Sequence, residues 1–571
     1  MANLSTRHLV CVLCLMLLSA AAPARESEES CRQSLVQPED INLDQPEDQL
    51  AHSAELEIPP DARIGDIRVI TRPMFDTDDP DENYAIYQLI NWINRPTWLS
   101  ALRSQLVFAE GDRYDPSEVA ESERILRNLA YLSGAWVGPV RVCGNEVDID
   151  VLARDSWTSS LTLGFSRSGG ENTTELGISD PNFLGSGKSF SISRTNDADR
   201  TTTRFNYTDP NIWGSRWRGN LRLDERSDGS GRRIAIERPF FSEQAEWAFG
   251  VEASEDEREE PLFFGGDEVS EFERDRTQLG IYYGSRLATD NDASTEARLL
   301  AGYRFDEQRF APVEGVPAPD PFPEDRTRSY PWVGFQWREN RFHETANLTQ
   351  LQRVEDVRNG IDFRTEFGYS SEALGGTEDR IVMENRFSDA LLATPLAFAE
   401  YRMTQSGDYL VAENRVENFT GTFSTQMFYG GVRRWWSWHA RLSFTAAEKL
   451  TPDQQLSIGG SSGLRGYERR FQEGNRRFLG TLERRFFPDW HPFSLFRVGG
   501  VAFADAGRAW FNDDRPAGPE EGVLKDVGFG LRLSSSRFRV DRILHLDFAF
   551  PLDGGGETSE FQILVRGRTK F

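Results

Sequence analysis

From about residue 155 to the C-terminus, apolar and polar residues alternate along most of the chain. An alternation with period two predicts β-strands that have one apolar face and one polar face. The pattern is clearest in four segments: 160-SLTLGFS-166, 527-VGFGLRLS-534, 544-LHLDFAF-550 and 561-FQILVRGRTKF-571. A soluble β-sandwich would also alternate in this way. Because the pattern extends over about 417 residues with no helix interposed, one large β-structure is favoured.

A turn sequence recurs near the start of this region. Residues 179-SDPNFLGS-186 return 29 positions later as 208-TDPNIWGS-215, and a related stretch, 238-RPFFS-242, follows at a similar distance. Asp-Pro-Asn with a following glycine is typical of turns. The interval holds two turns and two strands of roughly ten residues, the length that a transmembrane β-strand needs. Turns on one side of a membrane would recur at this distance.

Longer acidic or proline-rich segments interrupt the regularity and are predicted to be loops: 255–273, 306–326, 448–477 and 511–525. Short turns on one side and long loops on the other are typical of outer-membrane barrels. Closure of a barrel satisfies the backbone hydrogen-bonding groups in lipid, while polar side chains face the lumen. Residues 155–571 are therefore predicted to form a transmembrane antiparallel β-barrel, with a soluble repeat protein as the alternative.

The preceding region, residues 62–154, shows a mixed pattern. It predicts, in order, a strand at 63–71, helices at 82–94 and 116–132, and strands at 139–143 and 146–153. In the second helix, Val119, Ile125 and Leu129 recur at helical spacing. This order indicates a small α/β domain in front of the barrel.

The N-terminus has the features of a secretory signal peptide, predicted at residues 1–24. Arg7 precedes the apolar run 9-LVCVLCLMLLSAAA-22, and an Ala-x-Ala site follows it. The run is shorter than the roughly 20 residues of a spanning helix. Residues 25–61 are acidic and contain proline, which predicts a flexible linker. In an exported protein Cys31 and Cys143 can form a disulfide, although two separate thiols are equally compatible with the sequence.

Composition excludes several classes of function. The chain has 91 acidic and 65 basic residues and a net charge of −26, which argues against nucleic acid as a partner. The six histidines are scattered and no zinc-ligand spacing occurs, so no metal or other cofactor is expected. A hydrolase such as a phospholipase would need a serine and a histidine held by a third polar group. The candidate histidines are His343, His439, His491 and His545, and none of them lies in a motif with a serine. We therefore expect that the protein is not an enzyme.

Four motifs give the chain a family resemblance. They are the turn 180-DPNFLGSGKS-189, the stretch 463-GLRGYE-468, the stretch 503-FADAG-507 and the C-terminal Phe571. Together they resemble the BamA/TamA-type superfamily of outer-membrane assembly and translocation proteins, also called the bacterial surface antigen family. The resemblance implies a mainly β protein, with a barrel of about sixteen strands preceded by one POTRA domain at 62–154. It also implies that Leu464, Arg465, Gly466 and Tyr467 belong to an extracellular loop motif, and that Phe571 is a signal for the assembly machinery.

The alternation within 497-RVGGVAFADAG-507 supports this interpretation. Phe503, Asp505 and Gly507 share one face, and three alanines share the other. A carboxylate is costly in lipid, so Asp505 is predicted to face the lumen, where a guanidinium can bind it with two hydrogen bonds. Arg465 is the proposed partner, on a loop folded inward, and Glu483 is a possible additional partner. The alternative is that Arg465 is a solvated loop arginine.

The resemblance implies a function as well as a fold. We expect a protein of the bacterial outer membrane, with its N-terminal domain in the periplasm, that assists insertion or translocation of unfolded client polypeptides. Clients would pair with an exposed sheet edge at 139–143 or with a lateral seam between the first strand, about 156–167, and the last, 560–571. Outer-membrane lipids and lipopolysaccharide are the other expected partners, along with periplasmic or inner-membrane proteins that bind the POTRA domain. A single POTRA domain favours an accessory role, and a pore or lipid/solute conduit without protein clients is the alternative.

Overall fold

The computed structural model describes residues 31–33, 41, 43, 56–78, 80, 83–287, 295–346, 354–394, 396–430, 435–494, 496–535, 543–553 and 558–568. The predicted signal peptide, most of the predicted linker and Phe571 lie outside these residues. No helix in the described ranges combines the length and the apolar character needed to cross a bilayer.

The N-terminal part forms an α/β unit in which two of three helices pack against a four-stranded sheet. Its elements are β1 (Arg32–Gln33), β2 (Arg63–Arg72), α1 (Ala85–Ile93), α2 (Leu99–Arg103), α3 (Pro116–Arg127), β3 (Leu132–Cys143) and β4 (Glu146–Asp155). The sheet order is β1-β3-β4-β2, with β2 parallel to β4. Asp115 caps α3 by accepting a hydrogen bond from the Ser117 N–H at 2.8 Å, and Pro116 suits the first helical position. The sequence predicted β2, β4, α1 and the start of α3. It gave only the last part of β3, whose first residue it assigned to the helix, and it placed β1 in the linker. It also missed α2, which follows Pro96 after a break in the helical pattern.

The outer edge of β3 is partly covered by the chain itself. Strand β1 pairs with β3 at Arg141 and Val142, and a disulfide joins Cys31 to Cys143 with their Cα atoms 4.4 Å apart. The prediction of a free edge along 139–143 is therefore wrong at its C-terminal end. The pairing escaped prediction because it joins residues more than a hundred positions apart in the chain.

The rest of the described chain forms a closed antiparallel barrel of 20 strands. The strands are β5 (Ser160–Ser168), β6 (Glu171–Asp180), β7 (Ser189–Asn196), β8 (Thr201–Asp209), β9 (Arg218–Arg226), β10 (Gly229–Arg238), β11 (Trp247–Phe264), β12 (Asp267–Leu287), β13 (Thr295–Pro312), β14 (Arg326–Glu339), β17 (Asp362–Ser370), β18 (Arg380–Ala393), β19 (Ala397–Leu410), β20 (Arg415–Tyr429), β21 (Trp436–Glu448), β24 (Arg476–Phe486), β25 (Phe496–Trp510), β26 (Leu524–Ser535), β27 (Ile543–Pro551) and β28 (Gln562–Arg568). Two short hairpins lie outside the barrel sheet: β15 (Phe342–Ala346) with β16 (Val354–Arg358), and β22 (Leu456–Ile458) with β23 (Gln472–Gly474).

The prediction of about sixteen strands is thus wrong, since the barrel has 20. That number was implied by the family resemblance. The alternation itself does not give the number of strands. It leaves the strand boundaries open wherever a turn of two or three residues joins two strands. Such turns connect β5 to β6 and β9 to β10.

The predicted loop at 255–273 is also wrong, because these residues form the ends of β11 and β12. A two-residue turn, Gly265–Gly266, joins the strands, and both glycines have positive φ, as such hairpins require. Every second charged residue of this segment faces the lumen, where Asp256 and Glu260 pair with arginines of other strands. Arg226 lies 2.7 Å from Asp256, and Arg274 lies 3.2 Å from Glu260. The start of the predicted 306–326 loop likewise belongs to β13, whereas the segments between β21 and β24 and between β25 and β26 are long connections, as predicted.

The barrel wall separates an apolar outside from a charged inside. Phe529 and Leu531 of β26 are exposed on the outer surface. Arg532 on the same strand is buried and donates a hydrogen bond to Asp547 of β27 at 2.6 Å. Period-two alternation places such neighbours on opposite faces, so the outer surface suits lipid and the lumen holds the charges.

The repeated Asp-Pro-Asn turns hold the α/β unit against one rim of the barrel. In the first turn, the Asn182 side chain donates to the Thr97 hydroxyl at 2.7 Å. In the second turn, Asn211 accepts from the Gln105 side chain at 2.5 Å. Gly185 of the first turn has φ +80°, and a Cβ there would lie 2.3 Å from the Pro96 carbonyl oxygen. The sequence repeat therefore provides two similar turns that both bind the segment around α2.

Candidate functional site: a loop folded into the barrel beside its seam

The connection between β21 and β24 folds back into the lumen. Hairpin β22–β23 forms its base, and Gln472 fixes that base to the wall by accepting from the Ala509 N–H at 3.0 Å and donating to the Gly522 carbonyl at 3.0 Å. On the opposite side, Arg326 of β14 lies 2.6 Å from Asp453. The residues between the two short strands, 459–471, are held inside the barrel by these contacts.

Arg465 is the centre of the contact between this loop and the wall. Its Nε donates to Asp505 Oδ2 at 2.6 Å and its Nη2 to Asp505 Oδ1 at 2.9 Å, which is a two-bond fork. Its Nη1 donates to Glu483 Oε1 at 2.9 Å. The guanidinium also lies 3.5 Å above the centre of the Phe503 ring. All four residues are buried, so these charged hydrogen bonds are sheltered from water.

The other residues of the loop motif pack or turn beside Arg465. Leu464 is buried in an apolar cluster with Ile458 and Leu524. The Tyr467 hydroxyl donates to the carbonyl of Lys525 at 2.9 Å, and burial raises the pKa of Tyr467 to about 12. Gly466 passes so close to β26 that an added Cβ would lie 2.7 Å from the Asp526 Cβ. Only glycine fits at this position without displacement of the wall.

The structure also places the remaining predicted wall residue. Gly507 packs under the loop, and a Cβ there would lie 2.6 Å from Ile458 Cδ1. Asp505, Phe503 and Gly507 all face the lumen, while Ala502 and Ala504 are exposed on the outer surface. Phe571, the predicted C-terminal signal, lies outside the described residues.

A second layer of charges supports Glu483, and the sequence interpretation did not include it. The Arg485 Nε donates to Glu483 Oε2 at 2.9 Å, and its Nη2 donates to His439 Nδ1 at 2.8 Å. Arg485 is two positions from Glu483 on β24, so it shares the lumen face by strand periodicity alone. His439 is opposite Glu483 in the register of β21 and β24, which only the pairing of the strands reveals.

The loop also contacts the two strands that close the barrel. The Arg469 N–H donates to the Gly169 carbonyl, in the turn between β5 and β6, at 3.3 Å. On the other side, Arg566 of β28 donates to the Gly460 carbonyl at 3.2 Å. The loop therefore bridges the closing strands from inside.

The turn between β7 and β8 makes a further contact with this loop. Asp199 lies 3.3 Å from Arg469 and 3.1 Å from Arg470. Burial would raise the pKa of Asp199, but hydrogen bonds and charge from the two arginines outweigh it and lower the pKa.

The seam between β28 and β5 is joined by fewer residue pairs than the neighbouring strands. In the described ranges, Val565 and Arg167 form its one register position. The adjacent pairs are longer, with seven positions between β27 and β28 and nine between β5 and β6. A Gln562 side chain that accepts from the Gly170 N–H at 3.2 Å adds a contact near one end of the seam.

Part of the sequence of this chain is similar to that of a known protein. The outer membrane protein assembly factor BamA of Neorickettsia risticii is 22% identical over 226 residues, which are 39% of this chain and 24% of that protein. The chain thus spans about a quarter of the length of this curated relative. No protein-family model matches the chain.

Solved structures with partial likeness include BamA from Haemophilus ducreyi lacking POTRA domains 1–3, which is 16% identical, with a TM-score of 0.38 and coverage of 88% of this chain and 84% of that one. CdiB from Escherichia coli is 13% identical, with a TM-score of 0.45 and coverage of 89% and 76%. CdiB from Acinetobacter baumannii is 12% identical, with a TM-score of 0.41 and coverage of 88% and 74%. Over part of its length the chain is thus similar in sequence to an outer-membrane protein of the BamA/TamA type, and its described residues form a closed antiparallel β-barrel.

Proposed function

We propose that this protein assists the insertion or translocation of polypeptides at the bacterial outer membrane, and that client chains pair with its barrel at the seam between β5 and β28. The observation that carries the proposal is the short seam. One register position joins these strands in the described ranges, between neighbours joined by seven and nine. A seam with few pairs costs less to separate than any full strand pair, and separation exposes two edges that can accept a client strand.

The infolded loop acts in this proposal as a latch on the seam. It is bound to the wall at Arg465 and Asp505, and it also contacts the carbonyl of Gly169 beside β5 and Arg566 of β28. A client that separates β5 from β28 must break or move the last two contacts. The buried fork at Arg465 keeps the loop in the lumen while this happens.

The α/β unit acts as the periplasmic POTRA domain that receives extended chains. Its position against the turns of one rim places it at the mouth of the barrel. Strand β1 and the Cys31–Cys143 disulfide occupy part of the β3 edge, so a client cannot use that part without displacing them. This occupancy favours the seam over the β3 edge as the main site of strand addition.

A disulfide across the seam tests the proposal. Arg167 and Val565 are opposite each other, so Arg167→Cys with Val565→Cys forms a cross-link that prevents separation of β5 and β28. The matched control is Leu163→Cys with Leu176→Cys, which cross-links register partners within the β5–β6 pair. Each variant is placed in liposomes, and insertion of an unfolded eight-stranded outer-membrane barrel is measured by its acquired protease resistance.

We expect the seam cross-link to stop insertion and a reductant to restore it. The control variant and the unmodified protein are expected to insert the client with or without reductant, which separates the seam effect from reduction of Cys31–Cys143. Full insertion by the oxidised seam variant would show that the seam is not the route. A protein that conducts ions but inserts no client in any form would instead be a solute conduit.

A further inference from the structure

Helix α1 of the α/β unit presents an apolar surface outward as well as inward. Residues 84–94, YAIYQLINWIN, contain no charged side chain. Ile86, Leu89 and Trp92 are exposed, and Trp92 has 82% of its surface accessible. These three residues follow a spacing of three, so they form one face of the helix. A helix that contacts water on one side normally has polar residues there.

The opposite face of α1 contacts the segment that follows β2. Tyr87 stacks on Phe75 with ring centres 4.1 Å apart and an interplanar angle of 2°. The Asn91 side chain donates to the Phe75 carbonyl at 2.8 Å and accepts from the Phe75 N–H at 3.2 Å. The exposed apolar face is therefore a second surface, which the unit's own core does not need.

Two contacts fix α1 along the barrel rim. The Tyr87 hydroxyl donates to the carbonyl of Phe493, in the turn between β24 and β25, at 2.8 Å. Just after the helix, the Trp98 N–H donates to the carbonyl of Gly185, in the turn between β6 and β7, at 2.8 Å. Between these two turns the barrel order contains β25, β26, β27, β28, β5 and β6. The segment from α1 to Trp98 thus follows the rim across the strands that include the seam.

The turns at this rim also expose large apolar residues. Trp213, in the second Asp-Pro-Asn turn, has 98% of its surface accessible, and Phe493 has 78%. Leu184, in the first of these turns, and Trp490 are exposed as well. Aromatic residues collect where a transmembrane barrel meets the membrane–water interface. Helix α1 is hydrogen-bonded to this rim, so its apolar face is at the same level.

We propose that α1 and Trp98 form a lipid-binding surface that lies in the periplasmic interface of the membrane, next to the barrel seam. The occupant is a phospholipid layer, since the apolar face is continuous with the rim that lipid surrounds and since 84–94 offers no charge to a protein partner. This surface would anchor the α/β unit to the bilayer as well as to the barrel. Because apolar burial drives the contact, it should need no anionic lipid and should be insensitive to salt.

Depth-dependent fluorescence quenching tests this inference on the full chain, with Cys11 and Cys14 changed to serine and Cys31–Cys143 left bonded. An environment-sensitive dye is attached at Trp92→Cys or, as a second position on the same face, Leu89→Cys. The negative control is Arg113→Cys, which pairs with Arg63 at the start of β2. Strand β4 runs parallel to β2 and ends at Asp155, just before the barrel begins. The start of β2 is therefore the end of the sheet that is remote from the barrel. The positive control is Leu531→Cys on the outer barrel surface. The vesicles are phosphatidylcholine with or without 5-doxyl lipid.

We expect the dye at positions 89 and 92 to emit at shorter wavelength and to lose at least half of its intensity with doxyl lipid, at both 50 mM and 500 mM salt. The dye at 113 should show neither change.

Emission at 89 and 92 that matches position 113, while position 531 is quenched, would overturn the inference and leave the proposed function standing. A blue shift that depends on protein concentration without quenching would assign the surface to a second copy and would also overturn it. An unquenched dye at 531 would overturn both, because the inference rests on the barrel lying in the membrane.

Discussion

Replacement of Arg465 by alanine is the most direct perturbation of the infolded loop. The variant removes three hydrogen bonds to two buried carboxylates and the contact with the Phe503 ring. Glu483 keeps Arg485 as a partner, whereas Asp505 loses both bonds of the fork. Loss of one member of a buried ion pair costs about 3–5 kcal/mol, chiefly because the remaining charge stays desolvated. The loop should therefore detach from the wall, while the strands of the barrel remain paired.

The magnitude follows from this free energy. At about 1.4 kcal/mol for each factor of ten, the population with a detached loop rises by about 100- to 4,000-fold. Hydrogen exchange of the backbone amides of 456–474 measures this population, since amides in the detached state lose their protection. Trypsin cleavage after Arg469 and Arg470 reports the same change, because both side chains are bound to Asp199 in the intact protein.

Two control variants decide how the result is interpreted. Arg515→Ala removes an ion pair with Asp513 whose side chains are both more than half exposed, so exchange in 456–474 should not change. Arg465→Lys keeps the charge but cannot form the two-bond fork, and should give an intermediate exchange rate. Unchanged exchange and cleavage in Arg465→Ala would refute the reasoning, since the fork would then not hold the loop.

Three further variants test the α/β unit. Cys143→Ser opens a disulfide that joins residues 112 positions apart, and should lower the free energy of unfolding of the unit by about 4 kcal/mol, measured by chemical denaturation with and without reductant. Gly185→Ala places a methyl group against the Pro96 carbonyl at positive φ, and should release the segment around α2 from the rim, measured as faster hydrogen exchange at 97–106. Burial raises the pKa of Glu121 to about 7, so the folded unit binds a proton that the unfolded chain releases above about pH 4.3. The melting temperature should therefore fall between pH 5 and pH 7, and Glu121→Gln should lose this part of the pH dependence.

The sequence was most informative where strand periodicity alone decides the direction of a side chain. On β25, the alternation places Asp505 and Phe503 inside and the alanines outside, as in the structure. The same reasoning applied to β24 would have placed Arg485 beside Glu483. It could not have found His439, because the partner of a residue on the next strand depends on register, which a turn of unknown length leaves open.

Charge was the most misleading signal for the strand count. The acidic run 255-EDEREE-260 looks like a solvated loop by composition. In the barrel, Asp256 and Glu260 face inward and meet arginines of neighbouring strands. A lumen lined by both signs of charge allows a strand to carry as many ionised residues as a loop does. Only the alternate residues, Glu255, Glu257 and Glu259, point away from the lumen and need water outside the barrel. Strand β11 has 18 residues, which is long enough to extend beyond a bilayer and place them there.

The arrangement of the loop and the α/β unit places the seam between two independent supports. From the lumen, the loop contacts both closing strands, while its buried fork is on β25, several strands away from them. From the rim, the segment that runs from α1 to Trp98 is attached at turns on either side of the same strands. Neither support depends on backbone pairing between β28 and β5. In the proposed function, separation of β28 from β5 breaks the loop's contacts at Gly169 and Arg566. It leaves the fork at Asp505 and the rim attachments at Phe493 and Gly185 intact, because none of these groups belongs to β28 or β5.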